Sequence, residues 1–455
     1  MSLAMPEKLA TQDEGVSALL AFVFSGAIGS PEGKGVSYAL AEATATSFSW
    51  VTALEDMDGP PVPIDRYLIT FNRRAREVLA PRPIELSNGE LADALLAATG
   101  QHLASSARFT DGALSISYKI TVQERSDIAY ILQLRHHGRV ASMDSLMRLI
   151  STTTSSQILP VPAVYPIPGE MERQEMSGMG RQITQFIPGV IASSVYPRLS
   201  HEERLVLVRK MARAFQACWQ LELPKPCLIG EVNASQAEDG RITLQIGPDR
   251  HHGLGGPFSS VREYLGAYIR SSLDALKKQQ GIEEYKAQFF DRIEAFIDTR
   301  LDTAIPSIVE DIPVVTTHAD MGPHNVIVSE QMPTDIRAII DWEFMSSAPY
   351  ASQHRIIEML FRKRARNGFG AEYEGAAELR AAFWGAIPDW ERWNQSEATR
   401  VFLEWFRFGL FMKPEWRPSD LTAEEKDDFW RENIQVVEDI LAKYSVGDGA
   451  QERSD

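Results

Sequence analysis

Hydrophobic residues recur at every second position in several short runs of the first half of the chain, which is the spacing of a β-strand. LSISYKITVQ (114–123) and DIAYILQLR (127–135) alternate in this way and are joined by the polar turn ERS, so they predict a hairpin. QITQFIPG (182–189) predicts another strand, which ends at a Pro-Gly pair. One helix is predicted to begin after Ser87 and another over SMDSLMRLIS. Together these elements predict a small β-rich unit.

The spacing then changes to that of helices. SHEERLVLVRKMARAFQACWQLE begins with a capping box formed by Ser200 and Glu203. Its apolar residues share one helical face: Leu205, Val208, Met211, Phe215 and Trp219. Further amphipathic helices follow, and the region from Ala351 to Tyr444 is predicted to be helical. Two short apolar strands around a polar loop interrupt them, so the second half predicts a mostly helical lobe with two isolated strands.

That polar loop carries the candidate chemistry. VVTTHADMGPHNVIV places His318, Asp320, His324 and Asn325 between two apolar runs, and Asp341 ends the next run in AIIDWEF. Turns contain Asp and Asn for purely structural reasons, so a structural origin of the three residues is one alternative. Phosphoryl transfer is the other, because it needs one carboxylate to take a proton and hard oxygen ligands for Mg²⁺. An Asp, an Asn five residues later and a second Asp beyond them match that template.

HADMGPHN followed by IIDWEF resembles the motifs of the aminoglycoside phosphotransferase and choline kinase-like family of small-molecule kinases. The resemblance implies an α+β, protein-kinase-like, two-lobed fold with a small β-rich N-lobe and a larger, mainly helical C-lobe. It also implies ATP and Mg²⁺ as cofactors and transfer of the γ-phosphate to a hydroxyl, or less readily an amine, of a small molecule. Asp320 would be the catalytic base, and Asn325 and Asp341 the metal ligands.

The same resemblance implies a nucleotide site in the β-rich lobe. TQFIPG resembles the family's hinge, where backbone groups near Gln185 and Ile187 would meet adenine. FTDGALSISYKI occupies the place of the strand-turn-strand that covers the phosphates, which makes Gly112 and Ser115 candidates, although an ordinary hairpin turn explains them equally well.

The family's phosphate-binding cation has no direct counterpart in YILQLRHHG. Gln133 takes its position, and Arg135 lies one step further along the same face of the strand. Arg135 could bind phosphate through its guanidinium or could be a solvated charge at the end of the strand. The usual helix Glu is missing too, and Asp144 is the nearest acid. These departures leave a second hypothesis open, a non-catalytic kinase-fold protein that binds a ligand or partner.

The other polar residues of the motif have structural interpretations. His318 is expected to tie the loop to its surroundings, His324 to lie on the loop surface, and Glu343 to cap the following segment rather than to bind the metal. The predicted domains are an N-terminal extension or small subdomain over 1–87, the β-rich nucleotide-binding lobe over 88–187, and the helical catalytic and acceptor lobe over 188–445. Residues 446–455 are expected to form a disordered tail.

The composition of the chain argues against some classes of binding partner. A net charge of -16 over 455 residues argues against a nucleic-acid binder, whose affinity depends on a basic surface. Two cysteines predict no disulfide framework and therefore favour a reducing compartment. The apolar run at 18–28 is too short to span a bilayer, and no basic segment precedes it, so we expect a cytoplasmic protein with no membrane contact. The acceptor and the oligomeric state stay open.

Overall fold

The computed structural model describes residues 86–109, 115–135, 139–237, 239–250, 253–280, 282–365, 368–412 and 435–444. The predicted tail and nearly all of the predicted N-terminal extension lie outside these residues. The described chain divides into two compact units, of which the first comprises residues up to Ala141 together with Tyr165–Phe186, and the second comprises Ser142–Val164 and the chain from Ile187 onward.

The first unit is built on one antiparallel sheet with the strand order β1-β2-β3-β4. Its strands are β1 Leu103–Arg108, β2 Ser115–Val122, β3 Ala129–Arg135 and β4 Gly180–Gln185, and its helices are α1 Asn88–Thr99 and α3 Glu170–Ser177. α1 begins at a capping box between Ser87 and Glu90 and ends at Gly100, whose positive φ of 73° suits a glycine. The predicted hairpin and the predicted start of this helix are confirmed, whereas β1 was not predicted.

The alternation of β3 divides its side chains between two environments. Tyr130, Leu132 and Leu134 are buried, and the first two join the hydrophobic core of this unit. α1 contributes Leu91, Ala94 and Leu95 to that core, against Tyr118, Ile120 and Val122 of β2 and Ile183 of β4. Burying each large apolar side chain stabilises the fold by about 1.5–3 kcal/mol. Because side chains alternate between the two faces of a strand, Gln133 and Arg135 lie on the opposite, polar face of the sheet.

The second unit is mainly helical. Its longer helices are α2 Val140–Thr153 (whose first turn begins in the first unit), α5 His201–Trp219, α6 Val261–Lys278, α7 Glu283–Thr299, α10 Ala376–Gly385, α12 Glu397–Phe411 and α13 over 435–444. Shorter helices are α4 Ala192–Val195, α8 Leu301–Ala304, α9 His354–Glu358 and α11 Pro388–Asn394. The capping box of Ser200 and Glu203 at the start of α5 is confirmed.

The strands of the second unit form three small sheets. They are β5 Val190–Ile191, β6 Gly230–Gln236, β7 Ile242–Gly247, β8 Val314–His318, β9 Val326–Val328, β10 Ile336–Ile339, β11 Met345–Pro349, β12 Arg362–Ala365 and β13 Gly368–Glu372. The sheets have the orders β7-β6-β11-β8, β10-β9-β5 and β12-β13. The prediction of two isolated strands was therefore wrong, and so was the all-helical assignment after Ala351.

β6 and β11 were not predicted because their sequences contain few of the residues typical of strands. GEVNASQ of β6 and MSSAP of β11 contain small and polar residues and only one β-branched side chain between them. Strand preference depends on the neighbouring strand more than on the residues themselves. Here β11 is held between β6 and β8, where Ser347 pairs with Gly230 on one side and Thr316 on the other. No helix among the described residues is long and apolar enough to cross a membrane.

Candidate active site

The polar loop predicted from the sequence connects β8 to β9. β8 ends at His318, a 3-10 turn covers Pro323–Asn325, and β9 begins at Val326. β10 pairs with β9 so that Ile339 lies opposite Val326, and the next N–H, that of Ile340, donates to the Asn325 carbonyl at 2.9 Å. The residue that immediately precedes Asp341 is therefore bonded to the backbone of Asn325. The structure therefore brings the start of β9 and the end of β10 together.

His318 is fully buried and joins the loop to the end of β10. Its Nε2 donates to the Ile340 carbonyl at 3.0 Å, and its Nδ1 accepts from the Asp320 N–H at 3.2 Å. This pairing requires the neutral tautomer, and burial lowers the pKa of His318, which keeps the ring neutral. Trp342 packs against the ring edge-on, with 4.9 Å between centroids, and Gln353 Nε2 donates to the His318 carbonyl at 2.6 Å. The structural role expected for His318 is thus what the contacts show.

The Asp320 carboxylate receives one side-chain donor on each oxygen. His324 Nε2 lies 2.9 Å from Oδ1, and Asn325 Nδ2 lies 3.0 Å from Oδ2. Burial on its own raises the pKa of Asp320, but the hydrogen bonds from His324 and Asn325 and the nearby histidines outweigh it and lower the pKa. The side chain remains 37% exposed, so an ionised carboxylate is accessible to a small molecule. His324, expected to lie on the loop surface, keeps 28% of its side chain exposed, and its ring is in addition bonded to Asp320.

Asn325 is buried, with 4% of its surface exposed. Its Nδ2 donates to the Asp320 carbonyl at 2.9 Å as well as to the Asp320 carboxylate. Both hydrogens of the amide are then committed to Asp320, and neither bond uses the amide oxygen, which is the atom that could bind a cation.

Asp341 has an unusual backbone conformation. Its φ of 63° and ψ of 54° place it in the left-handed region, and it is the only non-glycine residue with positive φ among those that the structure describes. Such a conformation costs about 1–2 kcal/mol in a residue with a Cβ. The turn Trp342–Phe344 that follows is anchored by Trp342, whose Nε1 donates to the Ile339 carbonyl at 2.8 Å. Strained residues of this kind concentrate at functional sites.

Asn325 and Asp341 offer oxygen atoms of the type that Mg²⁺ prefers. Mg²⁺ keeps several waters and takes further oxygens from phosphates, so two protein ligands fit it. In the part of the chain that the structure describes, no group of three His, Cys, Asp or Glu side chains is placed to hold a metal ion.

On the polar face of the first unit, Arg135 is buried at 5% exposure and bonded to two glutamines. Its Nε donates to Gln182 Oε1 at 2.8 Å, and its Nη2 donates to Gln133 Oε1 at 2.7 Å. Gln133 in turn donates to Ser117 Oγ at 3.2 Å. The alternative of a solvated charge at the strand end is therefore wrong for Arg135. Gln133 and Arg135, left as alternatives by the sequence, are bonded to each other.

Fewer contacts are described for the other residues predicted to bind the nucleotide. Gln185 pairs with Tyr130 at the end of β4 and has an exposed side chain, and Phe186 N donates to the Ala129 carbonyl at 3.1 Å. Ile187 is the first residue of the second unit after β4 and is half-buried. Gly112 lies outside the described residues. The backbone of Ser115 begins β2, but its side chain is not among the parts of the chain that the structure describes.

Comparison with known proteins gives the class. The chain matches the phosphotransferase enzyme family over residues 105–393, more than half of its length, and it belongs to that family. The family, together with an N-terminal sheet followed by a mainly helical region, confirms the resemblance and the α+β, kinase-like fold predicted from the sequence. No curated protein matches the chain.

Several solved structures are similar to it. A thermostable mutant of the aminoglycoside phosphotransferase APH(4)-Ia, in complex with AMP-PNP and hygromycin B, is 14% identical with a TM-score of 0.43, and the match covers 78% of this chain and 99% of that one. The streptomycin–ATP complex of APH(2")-IIa is 12% identical with a TM-score of 0.44, covering 79% and 99%. The AMP-bound spectinomycin phosphotransferase APH(9)-Ia is 13% identical with a TM-score of 0.40, covering 79% and 99%.

Proposed function

We propose that this protein transfers the γ-phosphate of ATP, with Mg²⁺, to a hydroxyl group of a small molecule. The observation that carries the proposal is the Asp320 carboxylate, which is ionised, accessible and held by a donor on each oxygen. Asn325, which donates to this carboxylate, accepts a backbone bond from Ile340, the residue before Asp341. A scaffold protein has no need for these three residues together.

Asp320 acts in this proposal as the general base. Its carboxylate accepts the hydroxyl proton of the acceptor while the hydroxyl oxygen forms a bond to the γ-phosphorus. The bond from that phosphorus to the β–γ bridging oxygen breaks, and ADP leaves with the electron pair. Mg²⁺ bound through Asn325 and Asp341 would supply positive charge to the phosphate oxygens. Asp320 is then needed to take the proton, and Asn325 and Asp341 are needed to hold Mg²⁺.

The nucleotide would be bound by residues between Gly112 and Ile187. We assign the phosphates to Arg135, oriented by Gln133 and Gln182, with Gly112 and Ser115 as further phosphate contacts. We assign adenine to the backbone near Gln185 and Ile187. The support is that Arg135 is a cation on the polar face of the sheet and that glutamine oxygens fix the direction of two of its nitrogens.

The acceptor is proposed to be a small molecule that bears a hydroxyl or, less readily, an amine. The related structures hold hygromycin B and streptomycin, both small hydroxyl-bearing antibiotics, beside AMP-PNP and ATP. Amino alcohols and sugars share the reacting group and are equally compatible with the base.

One observation favours a second function, that of a non-catalytic ligand-binding protein. Two guanidinium nitrogens of Arg135 are bonded to glutamine oxygens, so phosphate would have to share or displace these partners. Thermal unfolding with Mg²⁺-ATP separates the two functions. The kinase proposal expects a rise in melting temperature that EDTA abolishes, whereas a chain without a nucleotide site shows no rise.

The proposal is tested by incubating the full chain with Mg²⁺-ATP and pooled acceptors that include streptomycin, hygromycin B, amino alcohols and sugars. Products are identified by the mass of an added phosphoryl group, and acid lability distinguishes a phosphorylated amine from a phosphorylated hydroxyl. Asp320→Ala should lose turnover and keep the ATP-dependent rise in melting temperature. Full turnover in Asp320→Ala would show that Asp320 is not the base.

A further inference from the structure

We propose that His324 is a positioning residue for Asp320, and this rests on the proposed role of Asp320 as the base. His324 Nε2 and Asp320 Oδ1 are 2.9 Å apart, four residues apart in the chain. Since a carboxylate only accepts hydrogen bonds, the ring donates its Nε2–H to Oδ1. The histidine acts through the base and is not assigned any contact with substrate.

The two donors fix the plane of the carboxylate. Asn325 holds Oδ2 from one side, and His324 holds Oδ1 from the other. Each oxygen keeps a second lone pair, so one oxygen can still accept a proton from an acceptor hydroxyl. With Asn325 alone the carboxylate would be held at a single oxygen and could rotate about its Cβ–Cγ bond. A general base needs a fixed direction as well as a suitable pKa.

The backbone around His324 is shaped to receive the ring. A Cβ added to Gly322 would lie 2.6 Å from Cε1 and 2.7 Å from Nδ1 of His324, and 3.3 Å from Sδ of Met359. The φ of Gly322 is -92°, which every residue adopts, so its glycine is needed for space and not for conformation. The ring therefore lies directly over the Gly322 backbone while its Nε2 points to Asp320.

This arrangement supplies two independent ways to remove the contact. His324→Leu deletes the donor. Gly322→Ala keeps the imidazole but places a methyl group within 2.7 Å of two ring atoms, so the ring or the loop backbone must shift, and we expect the contact with Asp320 to be lost. His324→Gln places an amide N–H close to the position of Nε2 and should restore the contact. If positioning is the role of His324, the first two variants should behave alike and the third should behave as the wild type.

A matched control exists in the same unit. His201 Nε2 lies 2.7 Å from Glu378 Oε2, and the His201 side chain is 32% exposed, compared with 28% for His324. His201→Leu therefore removes a histidine–carboxylate contact that does not involve Asp320, although its carboxylate partner is more exposed, at 72% for Glu378 compared with 37% for Asp320. We expect it to leave the rate of phosphate transfer unchanged within about twofold.

The kinetic test measures ADP formation from Mg²⁺-ATP by the full chain, with water as the acceptor and with any acceptor found in the pooled assay. We expect kcat to fall about 10- to 100-fold in His324→Leu and Gly322→Ala, with KM for ATP and the half-saturating Mg²⁺ concentration within about twofold. His324→Gln should recover most of the rate. A wild-type kcat in His324→Leu, or a loss in His324→Gln equal to that in His324→Leu, would overturn the role.

A second measurement does not depend on turnover. In the chain labelled with ¹⁵N-histidine, long-range proton–nitrogen spectra report the tautomer of His324, which is assigned from its absence in His324→Gln. We expect a single Nε2–H tautomer that changes in Asp320→Ala and in Gly322→Ala. A signal that neither change affects would overturn the contact. If the wild type forms no ADP with water or with any pooled acceptor but the signal responds, the contact stands and it is the kinase proposal that fails.

Discussion

His318 Nε2 and the Ile340 carbonyl are 3.0 Å apart, and this single bond joins the end of β8 to the residue before Asp341. The other ring nitrogen accepts from the Asp320 N–H at 3.2 Å. One neutral imidazole thus sets the separation between the loop that carries Asp320 and Asn325 and the strand that carries Asp341. Because the ring is fully buried, it holds these backbones without contacting solvent.

Replacing His318 should therefore destabilise the fold as well as the site. His318→Leu leaves the Ile340 carbonyl and the Asp320 N–H without their side-chain partner, and we expect the free energy of unfolding to fall by about 2 kcal/mol or more. Urea denaturation measures the loss. His102→Leu is the control, because His102 contacts Glu124 with 64% of its side chain exposed and should cost less than about 1 kcal/mol. Equal losses in the two variants would contradict the account.

Stability should depend on pH through His354. Burial lowers its pKa to about 4 from an ordinary value of 6.5, and its Nε2 has no hydrogen-bond partner among the described residues. As pH falls below 6.5 the unfolded chain takes up the proton first, so this stability is complete above pH 6.5 and is lost as pH falls toward 4. The expected contribution to the slope is up to about 1.4 kcal/mol per pH unit.

His354→Gln should reduce that slope, since glutamine does not titrate. The measurement is the free energy of unfolding in urea at several pH values between about 4.5 and about 7.5, which covers most of the range of expected slope and about one unit above the ordinary pKa. Parallel curves for the wild type and His354→Gln would show that His354 is not the source of the acid sensitivity.

The left-handed backbone of Asp341 predicts an order of stabilities. Asp341→Gly and Asp341→Ala lose the same carboxylate, but only alanine retains a Cβ at a φ of 63°. We expect the glycine variant to be more stable than the alanine variant by about 1 kcal/mol, measured by urea denaturation. If alanine is equally stable or more stable, the backbone at this position is not left-handed in solution.

Removing a proposed metal ligand should change the Mg²⁺ requirement. Asn325→Ala and Asp341→Ala are each expected to raise the Mg²⁺ concentration at half-maximal ATP turnover by at least about tenfold, because even changes to residues behind a metal ligand have effects of that size. Asn233→Ala is the control, since its side chain contacts only the Glu231 carbonyl in β6 among the contacts described, at 3.4 Å. Unchanged Mg²⁺ dependence in both variants would exclude these residues as ligands.

The sequence predicted most accurately the features that depend on residues close together in the chain. The caps of α1 and α5 were predicted because Ser87–Glu90 and Ser200–Glu203 are set by bonds within one helical turn. The small sheets of the second unit were missed because their strands are stabilised by distant partners, as in the pairing of Ser347 with Gly230. Pairing of that kind leaves no periodic pattern in the sequence.

In the site, the spacing singled out Asp320, Asn325 and Asp341, and their roles stay a prediction. The contacts of His324 and Arg135 were not predicted. The contact of His324 depends on a 3-10 turn and on the space left at Gly322, and the spacing of four residues from Asp320, with Pro323 in the turn, was the available signal. The burial of Arg135 depends on Gln182, which lies 47 residues away in the chain. No pattern within one strand could have shown it.

The central claim is that Asp320 takes the acceptor's proton in a Mg²⁺-dependent phosphoryl transfer from ATP. Its most direct test compares the wild type with Asp320→Asn, which keeps the shape of the side chain, by measuring phosphorylated product and Mg²⁺-ATP affinity in parallel. If Asp320 is the general base, we expect the variant to bind Mg²⁺-ATP as the wild type does and to form product about 100- to 10,000-fold more slowly. Product formation at the wild-type rate by Asp320→Asn would contradict it.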